Sequence, residues 1–250
     1  MELSDFFAQN SETALAFSGG VDSSFLLYAG MRYGKEIKAY YVRTAFQPEF
    51  EYQDALRLAA SLGAQLEVIT PDVLSQPQIT ANPANRCYYC KQVIFSSILE
   101  HARNDGFSVL LDGTNASDAE GDRPGMRALR ELSVRSPLRE CGLTKARIRE
   151  LSREAGLFTW DKPAYACLAT RIPTGRTITY EDLARTEWAE SQLMALGFTD
   201  LRVRLLGDCA RVQLPEAQQE KFLAQKQTIL NLLKPRYSGV LLDLEARNGQ

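Results

Sequence analysis

A buried strand, a glycine turn and a helix start follow one another within residues 14–24 of this 250-residue chain. The apolar run at 14–17 is typical of a buried strand, and Gly19 and Gly20 directly after it let the backbone approach a ligand without a Cβ in the way. The helix that follows presents unpaired N–H groups and the positive end of its dipole. This order of elements predicts a phosphate cradle at the end of a strand.

The cradle segment lacks the lysine of a Walker A loop, GxxxxGK[ST], which disfavours Ras-like and ATPase-like proteins. Its sequence, SGGVDSS, resembles the PP-loop of the ATP pyrophosphatases, which cleave ATP between its α and β phosphates and adenylate a substrate. The resemblance gives Asp22 the role of helping to hold Mg²⁺ on the pyrophosphate. An ordinary strand-to-helix turn with glycine and serine caps is the alternative. The candidate ATP contacts here are Ser18, Gly19, Gly20, Val21, Asp22, Ser23 and Ser24.

Composition narrows the class of protein. A length of 250 residues allows one large domain or two modest ones, and 45% hydrophobic residues can fill a core. The formal net charge of −2 gives no basic footprint for nucleic acid, so a small nucleotide or anionic metabolite is the expected partner. No run approaches the roughly 18 apolar residues of a membrane span, and no basic segment precedes an apolar one at the start, which favours a cytoplasmic protein. Five cysteines, an odd number, argue against a secreted disulfide framework and favour metal binding or thiol chemistry.

Alternating strand and helix patterns up to about residue 160 predict βαβ units and an α/β fold with a doubly wound parallel sheet. The predicted strands are 13–17, 37–42, 65–69 and 108–112, and the predicted helices are 23–33, 50–62, 91–104 and 144–155. The later pattern is helix 180–196, strands 201–205 and 210–214, helix 215–233 and strand 239–244, which predicts a smaller C-terminal α+β domain. We expect domains at 1–172 and 173–250, with a linker at 171–177 that contains proline and glycine.

A second polar loop follows the fourth predicted strand, so the two loops should face one crevice at the carboxyl edge of the sheet. Its carboxylates suit Mg²⁺, which takes a few protein oxygens besides phosphate oxygens. A polar turn rich in Asp and Asn, without a ligand, is the alternative. The loop comprises Asp112, Gly113, Thr114, Asn115, Asp118, Asp122 and Arg123, and Gly113, Thr114 and Asn115 are its candidate ATP contacts.

Cys87 and Cys90 form a CxxC pair that places two thiols on one side of a turn. A structural zinc site would need further thiols, and Cys141, Cys167 and Cys209 form no second CxxC. A thioredoxin-type pair would need its own βαβ context. Three thiolates that leave one iron of a [4Fe-4S] cluster open would bind an exchangeable sulfide. Two buried structural cysteines are the alternative.

Cys167 lies in a loop with Lys162 five residues before it and Arg171 four residues after it. Nearby positive charge lowers the pKa of a thiol and raises its thiolate fraction. The thiolate could attack an acyl adenylate or ligate a cluster. An unreactive, half-buried cysteine is the alternative.

Weaker substrate-binding candidates lie near the linker. Arg202 and Arg204 share one face of an alternating strand, and two guanidiniums on one face can bind a phosphate or a dicarboxylate. A solvated strand edge is the alternative. Glu190 and Arg171 are further candidates, whereas His101, the only histidine, is predicted to be an exposed helical residue.

Taken together, these segments resemble the LarE family of ATP-dependent sulfur transferases, which help to build the nickel-pincer nucleotide of lactate racemase. The resemblance implies adenylation of a carboxylate of pyridinium-3,5-biscarboxylic acid mononucleotide, release of pyrophosphate and conversion to a thiocarboxylate. It also implies a homo-oligomer, such as a hexamer, and a substrate-phosphate contact for Arg247. The segments that carry it are 18–24, 86–91, 113–115 with 122–125, 136–138 and 162–175.

Two chemistries occur in this family. One sacrifices a single cysteine at the position of Cys167, which forms a thioester and ends as dehydroalanine. The other has two more cysteines, matching Cys87 and Cys90, and all three hold a [4Fe-4S] cluster that delivers sulfide. All three are present here, so the resemblance implies the cluster-bearing kind. The rival functions are a PP-loop tRNA thiolase, an amidating enzyme like NAD or GMP synthetase, and a nucleotide sensor without turnover.

Overall fold

The computed structural model describes residues 1–118 and 124–247, and its chain packs as two compact units. The first unit contains Met1–Val73 and Asn85–Lys162, and the second contains Leu74–Ala84 and Pro163–Gln250. The short segment Leu74–Ala84 belongs to the second unit through backbone hydrogen bonds from Gly175 and Ile178 to the carbonyls of Asn82 and Thr80.

The sheet of the first unit has four parallel strands in the order β3-β2-β1-β4. These are β1 (Glu12–Phe17), β2 (Glu36–Val42), β3 (Leu66–Ile69) and β4 (Leu110–Leu111). Because β2 and β3 lie on one side of β1 and β4 lies on the other, the loops after β1 and β4 meet at the carboxyl edge of the sheet. The predicted parallel α/β sheet is confirmed.

Helices cover both faces of this sheet. The helices of the first unit are α1 (Leu3–Gln9), α2 (Val21–Tyr33), α3 (Glu49–Leu62), α5 (Arg86–Asn104), α6 (Pro124–Glu131), α7 (Pro137–Glu140) and α8 (Lys145–Glu154), and α4 (Pro77–Thr80) belongs to the second unit. Alternate strand residues enter opposite cores: Leu15 and Tyr41 pack on one face, and Ala14 and Tyr40 pack on the other. Because both faces are buried, the strands are almost continuously apolar.

The second unit is an α+β structure, as predicted. Its strands are β5 (Arg202–Leu206), β6 (Cys209–Gln213) and β7 (Val240–Leu242), and its remaining helices are α9 (Tyr180–Ala195), α10 (Glu216–Ala224) and α11 (Lys226–Leu233). β6 pairs antiparallel with β5 and parallel with β7. Thr179 caps α9 by accepting the N–H of Asp182 at 3.1 Å.

The structure corrects three element boundaries. The helix predicted at 91–104 begins earlier, at Arg86, so the CxxC pair lies on a helix and not on a turn before it. The helix predicted at 215–233 is interrupted at Gln225, whose N–H turns back to the carbonyls of Lys221, Phe222 and Leu223. The strand predicted at 108–112 is shorter in the structure, where β4 contains only Leu110–Leu111 and Asp112 begins the polar loop. No helix within the described ranges is long and apolar enough to cross a membrane.

Candidate active site

The glycine turn after β1 closes against α3. Gly19 has φ +70°, a left-handed conformation, and a Cβ placed on it would lie 3.0 Å from the Cβ of Ala55. Both features require glycine. Gly20 is the N-cap of α2. The first N–H groups of α2 have no acceptor within the helix, and they are therefore available at this turn to bind an anion.

Serine hydroxyls fix the shape of the turn. The Oγ of Ser23 accepts the N–H of Ser18 at 3.2 Å, donates to the carbonyl of Gly20 at 3.2 Å, and lies 3.0 Å from the Oγ of Ser18. Ser24 is fully buried, and its Oγ has no hydrogen-bond partner in the described chain. Ser23 is therefore bound within the turn itself, whereas Ser18 is exposed at its rim.

The polar loop after β4 contacts the glycine-serine turn directly. A Cβ on Gly113 would lie 3.0 Å from the backbone nitrogen of Ser23, and the side-chain amide of Asn115 donates to Asp22 at 3.4 Å. The two loops that the sequence analysis assigned to one crevice are thus in contact at its base.

Asp112 and Asp118 hold this loop together. Asp112 accepts hydrogen bonds from the hydroxyls of Thr114 (2.5 Å) and Ser136 (2.6 Å), and Asp118 accepts the N–H of Asn115 at 2.8 Å. Both oxygens of Asp112 are engaged, so its carboxylate shapes the loop. Asp122 and Arg123 lie outside the described residues.

Cationic side chains from distant parts of the sequence reach the same turn. The Nζ of Lys145 lies 2.6 Å from the carboxylate of Asp22. The Nζ of Lys162 lies 2.9 Å from Asp54 and 3.5 Å from the carbonyl oxygen of Gly19. Lys145 is not predictable from the sequence, because 123 residues separate it from Asp22 and no local pattern connects them.

The carboxylate of Asp22 is largely buried, and its negative charge is stabilised by a nearby cation. Burial raises the pKa of Asp22, the hydrogen bond from Lys145 opposes that rise, and the nearby charge of Asp118 adds to it. Mg²⁺ takes one or two carboxylates in nucleotide sites and completes its shell with phosphate oxygens and water. A desolvated carboxylate beside a second one, at the rim of an anion cradle, fits that ion.

Cys87 and Cys90 lie in the first turn of α5, three residues apart on one face. Cys87 is exposed and Cys90 is half-buried. Across residues 1–118 and 124–247, no three histidine, cysteine, aspartate or glutamate side chains are arranged to hold a metal ion. None of the five cysteines, all of which are described, forms a disulfide.

In the second unit, Cys167 precedes a 3₁₀ turn (Leu168–Arg171) and its backbone is held by Arg171. The guanidinium of Arg171 donates to the carbonyl of Ala166 at 2.9 Å and to the hydroxyl of Thr170 at 2.8 Å. It also pairs with Glu190 at 2.7 Å, and both of these side chains are almost wholly buried. Of the two positive charges expected to act on Cys167, that of Arg171 is therefore balanced by Glu190, and Lys162 is paired with Asp54.

A cavity of about 350 Å³ lies beside the Cys167 loop. It is lined by Ala164, Ala166, Thr170, Arg171, Arg202, Arg204, Gln213, Ala246 and Arg247, so its described lining carries four arginines and no carboxylate. Burial, with Arg171 and Arg247 nearby, lowers the pKa of Arg202 to about 10. The buried Nε of Arg204 has no hydrogen-bond partner among the described residues. Such a cavity is suited to an anion.

Within this cavity the arginines differ in their partners. Arg202 donates to the carbonyl of Ala164 at 2.6 Å, and Arg247 donates to Asp200 at 2.8 Å. Arg204 lies directly opposite Arg211 across the antiparallel pair, and Arg211 is itself paired with Asp243 at 3.4 Å. The sequence-predicted Arg202, Arg204 and Arg171 are thus brought to one cavity, and Arg204 is the arginine with most capacity to bind a ligand.

Comparisons with known proteins identify the family of this chain. A search of models of protein families matched none of them. The chain is 37% identical over 224 residues to an uncharacterised protein of Synechocystis, covering 88% of this chain and 83% of the relative. It is 36% identical over 211 residues to the pyridinium-3,5-bisthiocarboxylic acid mononucleotide synthase of Lactiplantibacillus plantarum, covering 84% of this chain and 76% of the relative.

A more distant likeness is 24% identity over 191 residues to the tRNA-specific 2-thiouridylase MnmA of Thermotoga petrophila, which covers 58% of this chain and 52% of that protein. That match spans little more than half of each chain, whereas the match to the mononucleotide synthase spans most of both. This chain is therefore an enzyme of the LarE family, the family of the mononucleotide synthase of L. plantarum.

Proposed function

We propose that this chain is an ATP-dependent sulfur transferase that acts on pyridinium-3,5-biscarboxylic acid mononucleotide, for the nickel-pincer nucleotide cofactor. The observation that carries the proposal is the placement of the Cys167 loop against a cavity with four arginines in its lining. A mononucleotide that presents a phosphate and two carboxylates matches such a lining.

The first half of the reaction is adenylation at the glycine-serine turn. A substrate carboxylate oxygen attacks the α phosphorus of ATP, the bond between that phosphorus and the bridging oxygen breaks, and pyrophosphate leaves. The N–H groups at the start of α2 receive the phosphates, and Gly19 keeps side chains out of their way. Asp22, with Asp118 nearby, would hold Mg²⁺, which neutralises charge on the departing pyrophosphate.

The second half is displacement of AMP by sulfur. A sulfur nucleophile adds to the adenylated carbonyl carbon, and the bond from that carbon to the AMP oxygen breaks. The hydrogen bonds of Arg171 to the carbonyl of Ala166 and to Thr170 fix the backbone that presents Cys167. In the cavity, Arg204 and Arg202 would bind the substrate phosphate.

We infer that Cys87, Cys90 and Cys167 supply three thiolates to a [4Fe-4S] cluster. The chemistry of the donor set fits, since Cys87 and Cys90 lie three residues apart on one face of α5, neither is in a disulfide, and cysteine thiolates are the usual ligands of such clusters. When bound, the cluster would offer an exchangeable sulfide. Such thiols also need a reducing compartment, so we place the protein in the cytoplasm. The formal net charge of −2 gives no basic footprint, so we propose no nucleic-acid partner.

We also propose two features of organisation. The ATP pyrophosphatase domain, predicted at 1–172, would correspond to the first unit, and the smaller domain, predicted at 173–250, would correspond to the second unit and serve substrate binding and oligomerisation. The working form would be a homo-oligomer such as a hexamer, a state that light scattering measures directly.

Adenylation is tested by exchange of labelled pyrophosphate into ATP, which requires a reversible acyl adenylate. We expect exchange when pyridinium-3,5-biscarboxylic acid mononucleotide is present and none with unmodified tRNA. Cys167→Ala should retain exchange but form no thiocarboxylate, and Cys209→Ala, at a cysteine of the same unit, serves as the matched control. Exchange that depends on tRNA would contradict the proposal and favour a thiolase.

The sulfur source is tested after anaerobic purification. Bound iron and sulfide with an unchanged protein mass after turnover would support the cluster. Absence of iron, with a protein lighter by one molecule of H₂S, would overturn the cluster and leave sacrifice of Cys167 as the route.

A further inference from the structure

The side chain of Lys145 is bound to the one carboxylate of the glycine-serine turn that Mg²⁺ would need. Its Nζ lies 2.6 Å from Oδ2 of Asp22, and Asp22 is the only acceptor that this ammonium has among the described residues. We propose that Lys145 is a mobile counter-ion: it neutralises Asp22 before nucleotide binds, and moves to the pyrophosphate portion of ATP when Mg²⁺ binds Asp22. The inference rests on the proposed adenylation and adds a residue to it.

The backbone of Lys145 is held in place by its neighbours, and only its ammonium contacts Asp22. Its N–H donates to the hydroxyl of Ser117 at 3.0 Å, and Thr144 before it caps α8. The N–H of Ala116 donates to the carbonyl of Leu143 at 2.8 Å, which ties the loop after β4 to the start of α8. A flexible four-carbon stem then carries the ammonium from this fixed point.

Charge balance favours the exchange. Asp22 is surrounded by Lys145, Asn115, Asp118 and Arg149, and burial makes its negative charge costly without a cation. Lys145 supplies that cation as long as no metal is present. Mg²⁺ and ATP bring two positive charges and about four negative ones, so a lysine released from Asp22 finds new partners in the phosphate oxygens.

The two other cations near the turn, Lys162 and Arg149, bind acceptors other than Asp22. Lys162 is held by Asp54 and by the carbonyl of Gly19, and Arg149 donates to the carbonyls of Trp160 and Lys162. Neither acceptor set would be taken by a metal ion. Lys145 is thus the cation beside the turn whose partner is also the expected Mg²⁺ ligand.

A permanent tie between α2 and α8 is the competing explanation of the same ion pair. The two explanations differ in what happens when the charge is removed but the stem is kept. A tie predicts weaker packing and equally weakened binding of every ligand. A mobile counter-ion predicts losses confined to ligands that carry the pyrophosphate portion, together with easier Mg²⁺ binding at Asp22.

The test compares wild type, Lys145→Met and the matched control Arg147→Met, in which a cation of the same helix that pairs with surface Glu150 is lost. Calorimetry measures binding of AMP, of inorganic pyrophosphate with Mg²⁺, and of an ATP analogue with a methylene group between its α and β phosphates. We expect Lys145→Met to weaken pyrophosphate and the analogue by about tenfold or more, to leave AMP within about twofold, and to lower the Mg²⁺ concentration needed for half-maximal analogue binding. Arg147→Met should match wild type.

A second readout follows the lysine itself. In wild type, acylation of Lys145 by an amine-reactive reagent, measured by peptide mass spectrometry, should fall when the analogue and Mg²⁺ are added and should not fall with AMP. Unchanged affinities and Mg²⁺ dependence in Lys145→Met, or equal losses for AMP and pyrophosphate, would overturn the inference. Because these measurements need no acceptor substrate, they are independent of whether the mononucleotide is adenylated.

Discussion

Arg171 and Glu190 form an ion pair from which solvent is excluded: their side chains are 0% and 2% exposed, and the guanidinium makes two hydrogen bonds to the carboxylate, at 2.7 and 3.1 Å. The same carboxylate accepts the N–H of Val203 at 2.8 Å and the hydroxyl of Tyr165. The pair therefore connects the Cys167 loop with α9 and β5. Both residues are predicted from the sequence as substrate contacts, whereas their burial indicates a role in positioning the loop.

Removing one member of this pair should destabilise the protein strongly. Glu190→Ala leaves a buried guanidinium without its carboxylate, and we expect a loss of about 3–5 kcal/mol in the free energy of unfolding, measured by denaturant titration. The double change Arg171→Met with Glu190→Leu should restore much of that loss but not sulfur transfer, because the hydrogen bonds that hold Ala166 and Thr170 are gone. A Glu190→Ala protein as stable as wild type would contradict this role.

Arg204 should behave in the opposite way. Its guanidinium faces the cavity and lies across from Arg211, so Arg204→Met removes a like-charge contact and should leave the unfolding free energy within about 0.5 kcal/mol of wild type. The KM for the mononucleotide should rise by about tenfold or more, with a smaller change in kcat, because a phosphate contact is lost. Unchanged KM with reduced stability would remove Arg204 from the substrate site.

Gly19 and Gly63 give a matched pair for the phosphate turn. Both have positive φ, +70° and +66°, but a Cβ would meet Ala55 at Gly19 and nothing within 4 Å at Gly63. Gly63→Ala should cost about 1 kcal/mol of stability and leave ATP binding unchanged. Gly19→Ala should cost more and should abolish ATP binding in calorimetry, because the turn must shift away from α3. Equal effects of the two changes on ATP binding would contradict the assigned turn geometry.

The pKa shift of Asp22 predicts an inverse relation between stability and activity. Burial holds the pKa of Asp22 above its usual 3.8, so its contribution to stability is present below that pH and is lost as pH rises through the raised pKa. Asp22→Asn should therefore be at least as stable as wild type at pH 7 and equal to it at acid pH, while pyrophosphate exchange is lost.

Glu140 is the control for this prediction, because its pKa is shifted in the opposite direction from that of Asp22. Its hydrogen bond from Arg135 lowers the pKa of Glu140 below its usual 4.5, so its contribution is present above that pH and is lost as pH falls through the lowered pKa. Glu140→Gln should be less stable than wild type at pH 7, and the difference should shrink below about pH 4. Melting curves from pH 3 to pH 8 measure both variants, and parallel pH profiles for the two would contradict this assignment.

The sequence predicted the elements that local patterns determine. The strand, glycine turn and helix start at Ser18 to Ser24 are visible because φ-permissive glycines and an apolar run are local features. The contact between Asp22 and Lys145 is not local, since 123 residues separate the two in the sequence. The start of α5 at Arg86 is not visible in the sequence, because a CxxC pair occurs both in turns and in helices.

The partners of Arg171 are a second set of contacts that the sequence predicts only in part. A spacing of two places Arg202 and Arg204 on one face, and this was predictable from strand geometry. Glu190 is buried against Arg171 and does not act as a separate substrate contact. This burial depends on the packing of α9 against the Cys167 loop, which the sequence does not reveal. Tertiary packing decides which charged residues face a ligand and which support the site.

The central claim is that ATP cleavage here drives replacement of a carboxylate oxygen by sulfur. It is tested most directly by mass spectrometry of pyridinium-3,5-biscarboxylic acid mononucleotide after incubation with the anaerobically purified protein, ATP, Mg²⁺ and sulfide. The account predicts a product in which sulfur has replaced one carboxylate oxygen, with one AMP and one pyrophosphate released for each sulfur transferred. AMP and pyrophosphate without a sulfur-containing mononucleotide, or an amide formed when ammonia is supplied, would contradict it.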